Sequence, residues 1–375
     1  MKLISILLLT TLLSWTIKAQ TMSVAQQDSA FIRENYTKTQ VQIAMRDGVK
    51  LFANVYTPKD ASPTNQYPIV MQRTCYDVSP YGKDDYPKML YYSRYMMREK
   101  FIFVEQDVRG RWMSEGIWTN MTPQIPNKIK NTDVDESSDT YDTIDWMVKN
   151  LANNNGKVGQ YGISYPGFYT VAGALCGHPA LKASSPQAPV SDFFFEDFHH
   201  NGAFTMGYGL TFPVFGVQHP KPMAESWYND KYPKINTLDG FEWYKTMTPL
   251  KNFTKVYSDN FFWQEHIEHP NYDGFWQKRS IIPHLKNIKN IPAIMTVGGW
   301  FDAEDITGPL AVYKNIEKHN TNNYNTLVMG PFGHGDWAKE TGHHFHSNIY
   351  FGDSISTYFQ KNIELKFFKH FLKGT

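Results

Sequence analysis

The 375-residue chain has little cysteine, little net charge and few long apolar runs, and each shortage excludes a class of protein. Two cysteines, Cys75 and Cys176, cannot supply the disulfide framework of a small secreted fold. They allow either one disulfide or two free thiols. Because 37 basic residues balance 36 acidic ones, the charge indicates neither a nucleic-acid partner nor binding to an acidic membrane surface.

The one long apolar run stands at the N-terminus. Lys2 precedes about 15 apolar and hydroxyl residues, and Ala19 then offers a small residue for cleavage. This run is too short for a transmembrane helix, and no other stretch approaches membrane-spanning length. We therefore expect residues 1–19 to be a signal peptide. The mature protein is expected to be exported to the periplasm or the extracellular space, with no membrane partner.

Strand and helix patterns alternate along the rest of the chain. Residues 41–56 alternate around an Asp-Gly pair, which favours the turn of a β-hairpin. Residues 136–150 form an amphipathic pattern with acids in the first turn, which predicts a helix. Short apolar runs predict further strands at residues 68–71, 101–104, 157–163, 183–190, 294–298 and 326–329. This alternation implies an α/β fold with a mostly parallel central sheet.

The strand pattern fades between residues 191 and 290, where Phe, Trp, Tyr, His and Pro are frequent. Local patterns at residues 261–268 and 275–282 predict short helices. We interpret residues 191–290 as a helical cap inserted into a sheet domain, which is formed by residues 30–190 and 291–375.

A serine stands between a predicted strand and a predicted helix, in the sequence Gly162-Ile163-Ser164-Tyr165-Pro166-Gly167. A strand-to-helix turn that exposes a nucleophilic serine is sharp and needs small residues beside it. The strict motif has glycine two positions after the serine, whereas this chain has Pro166 there and glycine one position later. The pattern predicts Ser164 as a nucleophile, and the alternative is an ordinary turn.

Two later loops offer partners for this serine, whose hydroxyl needs a base to remove its proton. Asp302 follows the strand predicted at residues 294–298, and His334 stands between two glycines after residues 326–329. The order serine, acid, histidine is that of α/β-hydrolases, and such loops meet at the carboxyl edge of a parallel sheet. We therefore predict a triad with Ser164. Taken alone, His334 also fits a plain surface loop.

From about Tyr36 to its last residue the chain resembles the family of α-amino acid ester hydrolases, cocaine esterase, β-lactam antibiotic acylases and X-Pro dipeptidyl peptidases. The likeness is strongest to the α-amino acid ester hydrolases and acyltransferases. It rests on six motifs: Arg73-Thr74-Cys75-Tyr76, Gln106-Asp107-Val108-Arg109-Gly110-Arg111, Gly162-Ile163-Ser164-Tyr165-Pro166-Gly167, and residues 197–204, 298–305 and 330–337. The resemblance implies the α/β-hydrolase fold and requires no metal or organic cofactor.

The resemblance also implies a role for each residue of the site. Ser164 would be the nucleophile, His334 the base and later the acid, and Asp302 the group that orients the imidazole. The backbone N–H of Tyr165 and the hydroxyl of Tyr76 would form the oxyanion hole. Tyr76 also fits as an ordinary aromatic residue at a strand end.

The family's ester hydrolases hold the α-ammonium group of the substrate with three carboxylates, and Asp197, Glu304 and Asp305 stand at the matching positions. Close like charges in a partly dry pocket repel one another, and a bound ammonium relieves that repulsion. The alternative is a solvated acidic loop. Two features depart from the family: Cys75 replaces a usual proline, and the chain stops at Thr375, before the jelly-roll domain with which the relatives continue.

These observations together predict acyl transfer from a small-molecule amino acid ester, an amide or a short peptide. The resemblance also implies a possible homo-oligomer, since relatives often form oligomers. Three alternatives stay open. One is an X-Pro dipeptidyl aminopeptidase, and another is an inactive binding protein. The third is a metal-dependent hydrolase with Asp302, Glu304, Asp305 and His334 as ligands. That scheme leaves the serine turn unexplained.

Overall fold

A computed structural model of the protein describes residues 22–286, 288–339 and 345–375. The predicted signal peptide, residues 1–19, lies outside the described residues. The strands are β1 (Tyr36–Ala44), β2 (Lys50–Pro58), β3 (Tyr67–Thr74), β4 (Ile102–Asp107), β5 (Asn154–Ile163), β6 (Leu181–Gln187), β7 (His199–His200), β8 (Ala203–Phe204), β9 (Ala293–Gly299), β10 (Asn325–Gly330), β11 (Phe345–His346) and β12 (Ile349–Tyr350).

Helical segments follow or separate most of these strands. The α-helices are α1 (Val24–Asn35), α2 (Arg94–Glu99), α3 (Glu136–Asn150), α4 (Tyr165–Ala174), α5 (Phe212–Phe215), α6 (Gly240–Thr246), α7 (Phe261–Glu268), α8 (Gly274–Gln277), α9 (Thr307–His319), α10 (Ile355–Phe359) and α11 (Leu365–Phe368). Together with two π-helical segments, α10 and α11 make one C-terminal helix over residues 355–373. Within the described ranges, no helix is both long and apolar enough to cross a membrane.

Eight strands form one central sheet in the order β1-β2-β4-β3-β5-β6-β9-β10. β2 runs antiparallel to β1 and β4, and the other neighbouring strands pair in parallel. The prediction of a mostly parallel sheet is confirmed. Because parallel strands end at the same edge of a sheet, the loops after β5, β9 and β10 bring Ser164, Asp302 and His334 to that edge.

The predicted hairpin and the longest predicted helix both form. β1 pairs with β2 along its whole length, and Gly48 in the turn has φ 88°, a conformation that glycine adopts without strain. α3 has the predicted bounds because Asp135 caps it by accepting the Ser138 N–H at 2.9 Å. Local sequence therefore determines these two elements.

The helix predicted at residues 275–282 is wrong, since α8 ends at Gln277. The chain leaves the helix because the Ile281 N–H donates to the Ser191 carbonyl at 3.0 Å instead of to a carbonyl of its own helix. Pro283 also has no N–H with which to extend a helix. A tertiary hydrogen bond thus overrides the local helical pattern.

Between β6 and β9, the described residues contribute no strand to the central sheet. The stretch contains the short helices α5–α8 and the β7–β8 hairpin, and α7 has the bounds predicted from its sequence. Aromatic packing holds it on the sheet domain, because Phe198, Phe212 and Trp263 belong to the same buried cluster as Phe168 of α4. We propose that residues 191–290 act as a cap over the site.

The two cysteines do not form a disulfide. Cys75 is buried, Cys176 is partly buried, and both are free thiols. Burial raises the pKa of the Cys75 thiol to about 12, so its reactive thiolate is scarce at neutral pH.

A buried ion-pair network fixes the end of β3, where the loop that carries Tyr76 begins. The Arg73 guanidinium donates to Glu136 Oε2 at 2.9 Å, which ties β3 to the first turn of α3. Arg109 extends the network by donating to Asp139 Oδ1 at 2.8 Å. Because Arg73 and Glu136 are both buried, removal of one charge leaves the other without compensation.

We expect Arg73→Leu to lower the free energy of unfolding by about 3–5 kcal/mol, because Glu136 then stays buried without a cation. Arg46→Leu is the matched control. Arg46 pairs with Asp142 at 2.8 Å nearer the surface, where an ion pair contributes about 1 kcal/mol or less. Chemical denaturation measures both changes, and equal losses in the two variants would contradict a structural role for the buried network.

Candidate active site

Ser164 lies in a strained turn between β5 and α4. Its backbone has φ 68° and ψ −128°, a conformation that costs a residue with a side chain about 1–3 kcal/mol. The Ser164 N–H donates to the carbonyl of Gln187, the last residue of β6, at 2.9 Å. The order strand, strained turn, helix is that of a nucleophile elbow, which lifts a serine hydroxyl above the edge of the sheet.

The glycines near Ser164 are required because the neighbouring backbone leaves no room for a Cβ atom. A Cβ on Gly162 would lie 2.2 Å from the Pro166 carbonyl oxygen, and a Cβ on Gly167 would lie 2.6 Å from the Gln187 carbonyl oxygen. Pro166 occupies the first turn of α4, where a helix tolerates the missing N–H. The departure from the strict motif is therefore compatible with the same turn.

His334 and Asp302 are joined by a direct hydrogen bond. His334 Nδ1 donates to Asp302 Oδ2 at 2.9 Å. The other carboxylate oxygen, Oδ1, accepts the backbone N–H groups of Glu304 and Asp305, each at 2.9 Å, which fixes its orientation. With its proton on Nδ1, the neutral imidazole has a free lone pair on Nε2 and can act there as a base.

The protonation of this pair follows from its surroundings. Burial alone would raise the pKa of Asp302, but the hydrogen bond and charge of His334 outweigh burial and lower that pKa. Burial alone would lower the pKa of His334, but the hydrogen bond and charge of Asp302 outweigh burial and raise that pKa. Asp302 therefore stays ionised at neutral pH and stabilises a positive charge on the imidazole.

The imidazole faces a carboxylate on its other side. His334 Nε2 lies 3.7 Å from Glu304 Oε2, and among the described residues it makes no hydrogen bond to the Ser164 hydroxyl. Contacts between a nucleophile and its base are often loose in an unliganded site and tighten when substrate binds. A proton transfer from Ser164 to His334 would therefore require the ring or the hydroxyl to move.

Tyr76 and Tyr165 flank Ser164. Although 39% of Tyr76 is exposed, its hydroxyl end lies in the site and interacts with the Ser164 side chain. Burial, with nearby carboxylates, raises the pKa of this hydroxyl well above its ordinary value, so it keeps its proton and can donate. The Tyr165 N–H is the first of α4, and the first N–H groups of a helix have no carbonyl partner within it.

A cavity of about 160 Å³ opens beside Ser164, and Asp197 and Glu304 of the predicted carboxylate cluster line it. Asp305 is not part of the cavity wall, and its Oδ2 lies 3.8 Å from His334 Nδ1. The structure therefore brings two of the three carboxylates to the cavity and sets the third beside the imidazole. The apolar part of the wall comes from Val190, Phe193, Phe198, Val214 and Phe215.

Three buried carboxylate oxygens of the cluster lack a hydrogen-bond partner among the described residues. Both oxygens of Asp305 and Oδ2 of Asp197 are buried without a hydrogen bond. Burial first, and then the charge of neighbouring carboxylates, raises the pKa of Asp197 and of Asp305 well above the ordinary value. Since an unsatisfied buried polar group is costly, the cluster is suited to a ligand that carries positive charge and several donors.

Sequence reasoning missed Tyr208, which also lines the cavity. Glu304 lines the same cavity, and burial first, with the charges of Asp197 and Glu304, raises the pKa of the Tyr208 hydroxyl. Tyr208 stands in an aromatic-rich stretch where no spacing distinguishes it from core residues. Only the three-dimensional proximity to Glu304 identifies it.

Glu304, Asp305 and His334 also offer one ligand atom each within 4.8 Å of one another. Two carboxylates and an imidazole are a donor set that zinc accepts. His334 Nδ1 is already engaged by Asp302, so such an ion would use Nε2, the nitrogen that faces the serine in a triad. A metal-centred reaction would also leave the strained Ser164 turn without a purpose.

Several known proteins resemble this chain in sequence. Residues 47–336 match the sequence pattern of the X-Pro dipeptidyl-peptidase (S15 family). Cocaine esterase from Rhodococcus sp. (strain MB1 Bresler) is 26% identical over 322 residues, which cover 80% of this chain and 50% of that protein. This family resemblance, expected from the motifs, is confirmed.

Two solved structures superpose on almost the whole chain. An aminopeptidase from the marine sediment archaeon Thaumarchaeota archaeon has a TM-score of 0.79 and 28% identity, over 96% of this chain and 57% of that one. An α-amino acid ester hydrolase has a TM-score of 0.79 and 28% identity, over 97% and 57%. The chain thus spans about half the length of these relatives. It has the α/β-hydrolase fold, and it belongs to the X-Pro dipeptidyl-peptidase (S15) family of serine hydrolases.

Proposed function

We propose that the protein is a serine hydrolase and acyltransferase that acts on α-amino acid esters or amides through an acyl-enzyme. The observation that carries the proposal is the 2.9 Å hydrogen bond from His334 Nδ1 to Asp302 Oδ2, at the sheet edge where Ser164 occupies its strained turn. That arrangement supplies a nucleophile, a base and the group that orients the base.

In the proposed reaction, His334 Nε2 takes the Ser164 proton while the hydroxyl oxygen attacks the substrate carbonyl. The Tyr165 N–H and the Tyr76 hydroxyl donate to the oxyanion that develops. The imidazolium then protonates the leaving alcohol or amine as its bond to the acyl carbon breaks. Water or an amine next attacks the acyl-enzyme and gives its proton to His334. The imidazolium returns that proton to the Ser164 oxygen as its bond to the acyl carbon breaks, and the free acid or the transferred amide is released.

The carboxylates beside the cavity would select the substrate by its amine. Asp197 and Glu304 line the cavity that contains Ser164, so an α-ammonium group held there sets its own carbonyl next to the hydroxyl. A charge-assisted hydrogen bond contributes about 1.5–3 kcal/mol. Asp305 adds negative charge from outside the cavity wall, and the α-amino acid ester hydrolase among the similar structures supports this substrate class.

The same chemistry also suits an aminopeptidase that releases Xaa-Pro dipeptides. The match to the X-Pro dipeptidyl-peptidase family and the similarity to an archaeal aminopeptidase favour this second candidate. A Pro-containing dipeptide anilide, assayed beside an amino acid methyl ester, separates the two. Chelator treatment of the purified protein distinguishes serine chemistry, which it leaves intact, from metal chemistry, which it abolishes.

We further propose that the protein is exported.

An amino acid ester should be hydrolysed faster than its des-amino analogue, and Glu304→Gln should reduce that preference. We expect a loss of about 10- to 100-fold in kcat/KM for the amino ester, the equivalent of a charge-assisted hydrogen bond, and little change for the analogue. Steady-state kinetics on both esters measure the preference.

Glu242→Gln is the control for this experiment. Glu242 lies in the cap and pairs with Lys245 on the surface, at 3.3 Å, so its removal should leave both rates unchanged. If Glu304→Gln kept the full preference for the amino ester, the carboxylates would not be the ammonium site.

Activity should depend on pH through the neutral form of His334. Since Asp302 raises the pKa of His334 above its ordinary 6.5, kcat/KM should fall as the pH drops through a value above 6.5. Asp302→Asn removes the charge that raises the pKa of His334. Burial should then lower this pKa, and the fall in kcat/KM on the acidic side should occur at lower pH. The rate itself should fall by about 10⁴-fold.

Asp273→Asn removes the carboxylate 2.7 Å from His269 in the cap, and it should leave the pH profile of wild type unchanged. If kcat/KM of Asp302→Asn fell at the same pH as that of wild type, a group other than His334 would control the pH dependence.

A further inference from the structure

Gln187 occupies a central place between the three loops of the site. It ends β6, which lies between β5 and β9 in the sheet. Its carbonyl accepts the Ser164 N–H at 2.9 Å. The first turn of α4 packs against the same carbonyl, because a Cβ on Gly167 would come within 2.6 Å of that oxygen. The position of the Gln187 peptide therefore sets the position of the nucleophile turn.

The buried side-chain amide of Gln187 forms four hydrogen bonds. Oε1 accepts from Trp337 Nε1 at 2.7 Å and from the Tyr92 hydroxyl at 2.8 Å. Nε2 donates to Glu364 Oε1 at 2.8 Å and to Ser185 Oγ at 3.1 Å. A glutamine amide has two donor hydrogens and one acceptor oxygen with two lone pairs, so all four possibilities are used.

One of these partners belongs to the loop of the base. Trp337 follows His334 by three residues and is buried within the turn Asp336–Ala338. Its indole is held by Gln187, and its carbonyl accepts from Gln360 Nε2 of the C-terminal helix at 2.8 Å. The His334 loop is thus attached to β6 through a buried indole and to the C-terminal helix through its backbone.

A second partner fixes the other end of the amide. Glu364 of the C-terminal helix is fully buried, accepts from the Tyr91 hydroxyl at 2.6 Å and contacts the Tyr92 hydroxyl. Because buried hydrogen-bond networks have few alternative arrangements, this one holds the Gln187 side chain in a single orientation.

We infer that Gln187 is a positioning residue for the proposed reaction, which sets the nucleophile turn and the His334 loop at the separation that proton transfer needs. Its main chain holds Ser164 and its side chain holds Trp337, so one residue controls both sides of the gap. The inference rests on the proposed function. Misplacement of reacting groups by about 1 Å can lower a rate by about 100-fold.

The test compares Gln187→Met with Gln160→Met in the 375-residue chain. Gln160 is a matched control, because it is also buried and its Nε2 donates to the Thr170 carbonyl at 2.9 Å and to Ser184 Oγ at 3.0 Å. The measurements are kcat and KM for an amino acid methyl ester, the rate at which a fluorophosphonate labels Ser164, and the thermal unfolding temperature.

Both variants should lower the unfolding temperature, but only Gln187→Met should slow the chemistry. We expect kcat and the labelling rate to fall by about 10- to 100-fold, with KM within about twofold of wild type because Asp197 and Glu304 are untouched. Equal effects of the two variants on kcat would overturn the inference.

A double variant tests whether the labelling rate of Ser164 recovers when the hydrogen bond between positions 187 and 364 is restored. Gln187→Glu combined with Glu364→Gln exchanges the amide and the carboxylate. The hydrogen bond between positions 187 and 364 is then kept with its direction reversed, and position 187 still accepts from Trp337 Nε1. The double variant should recover most of the labelling rate that Gln187→Met loses. If Gln187→Met does not fold, Trp337→Phe removes the indole N–H bond to Gln187 and keeps an aromatic ring in the loop. An unchanged kcat there would refute the proposal.

The labelling readout separates this inference from the proposed function. If the wild-type protein is not labelled at Ser164, the proposed serine chemistry fails. If wild type is labelled and Gln187→Met is labelled equally fast, only the positioning role fails.

Discussion

The hydrogen bond between the Ser164 N–H and the Gln187 carbonyl, 2.9 Å long, is the constraint on which the site depends. It holds Ser164 at φ 68°, a backbone conformation that is unfavourable for a residue with a side chain. The strand before Ser164 belongs to the central sheet, and the helix after it packs against that sheet. The turn leaves no space at Gly162 or Gly167. Once this turn is fixed, only loops that end at the same sheet edge can reach the serine, and those loops carry Asp302 and His334.

Charge in the site is balanced in two different ways. Asp302 is stabilised as an anion by two backbone N–H groups and the imidazole. Asp197 and Asp305, in contrast, have buried oxygens that accept no hydrogen bond from any described residue, and burial among like charges raises the pKa of each. In our account the second group stays costly until an ammonium arrives, so part of the substrate's binding energy comes from relief of a cost built into the fold.

Much of the site could be predicted because its signals are local or follow chain order. Ser164, Asp302 and His334 each follow an apolar strand pattern, and their order is fixed by topology. The parts that could not be predicted depend on contacts between distant segments. The hydrogen bond of Gln187 to Glu364 spans 177 positions, and the bond that ends α8 early reaches back to Ser191. Tyr208 likewise can be assigned to the site only from its position beside Glu304 in the cavity wall.

The most direct test of serine acyl chemistry is rapid-quench mass spectrometry of the protein during turnover of an amino acid ester, followed by peptide mapping. The account predicts a transient mass increase equal to one aminoacyl group, located on the peptide that contains Ser164 and missing from Ser164→Ala. An adduct on another residue, or undiminished hydrolysis by Ser164→Ala without any adduct, would contradict it.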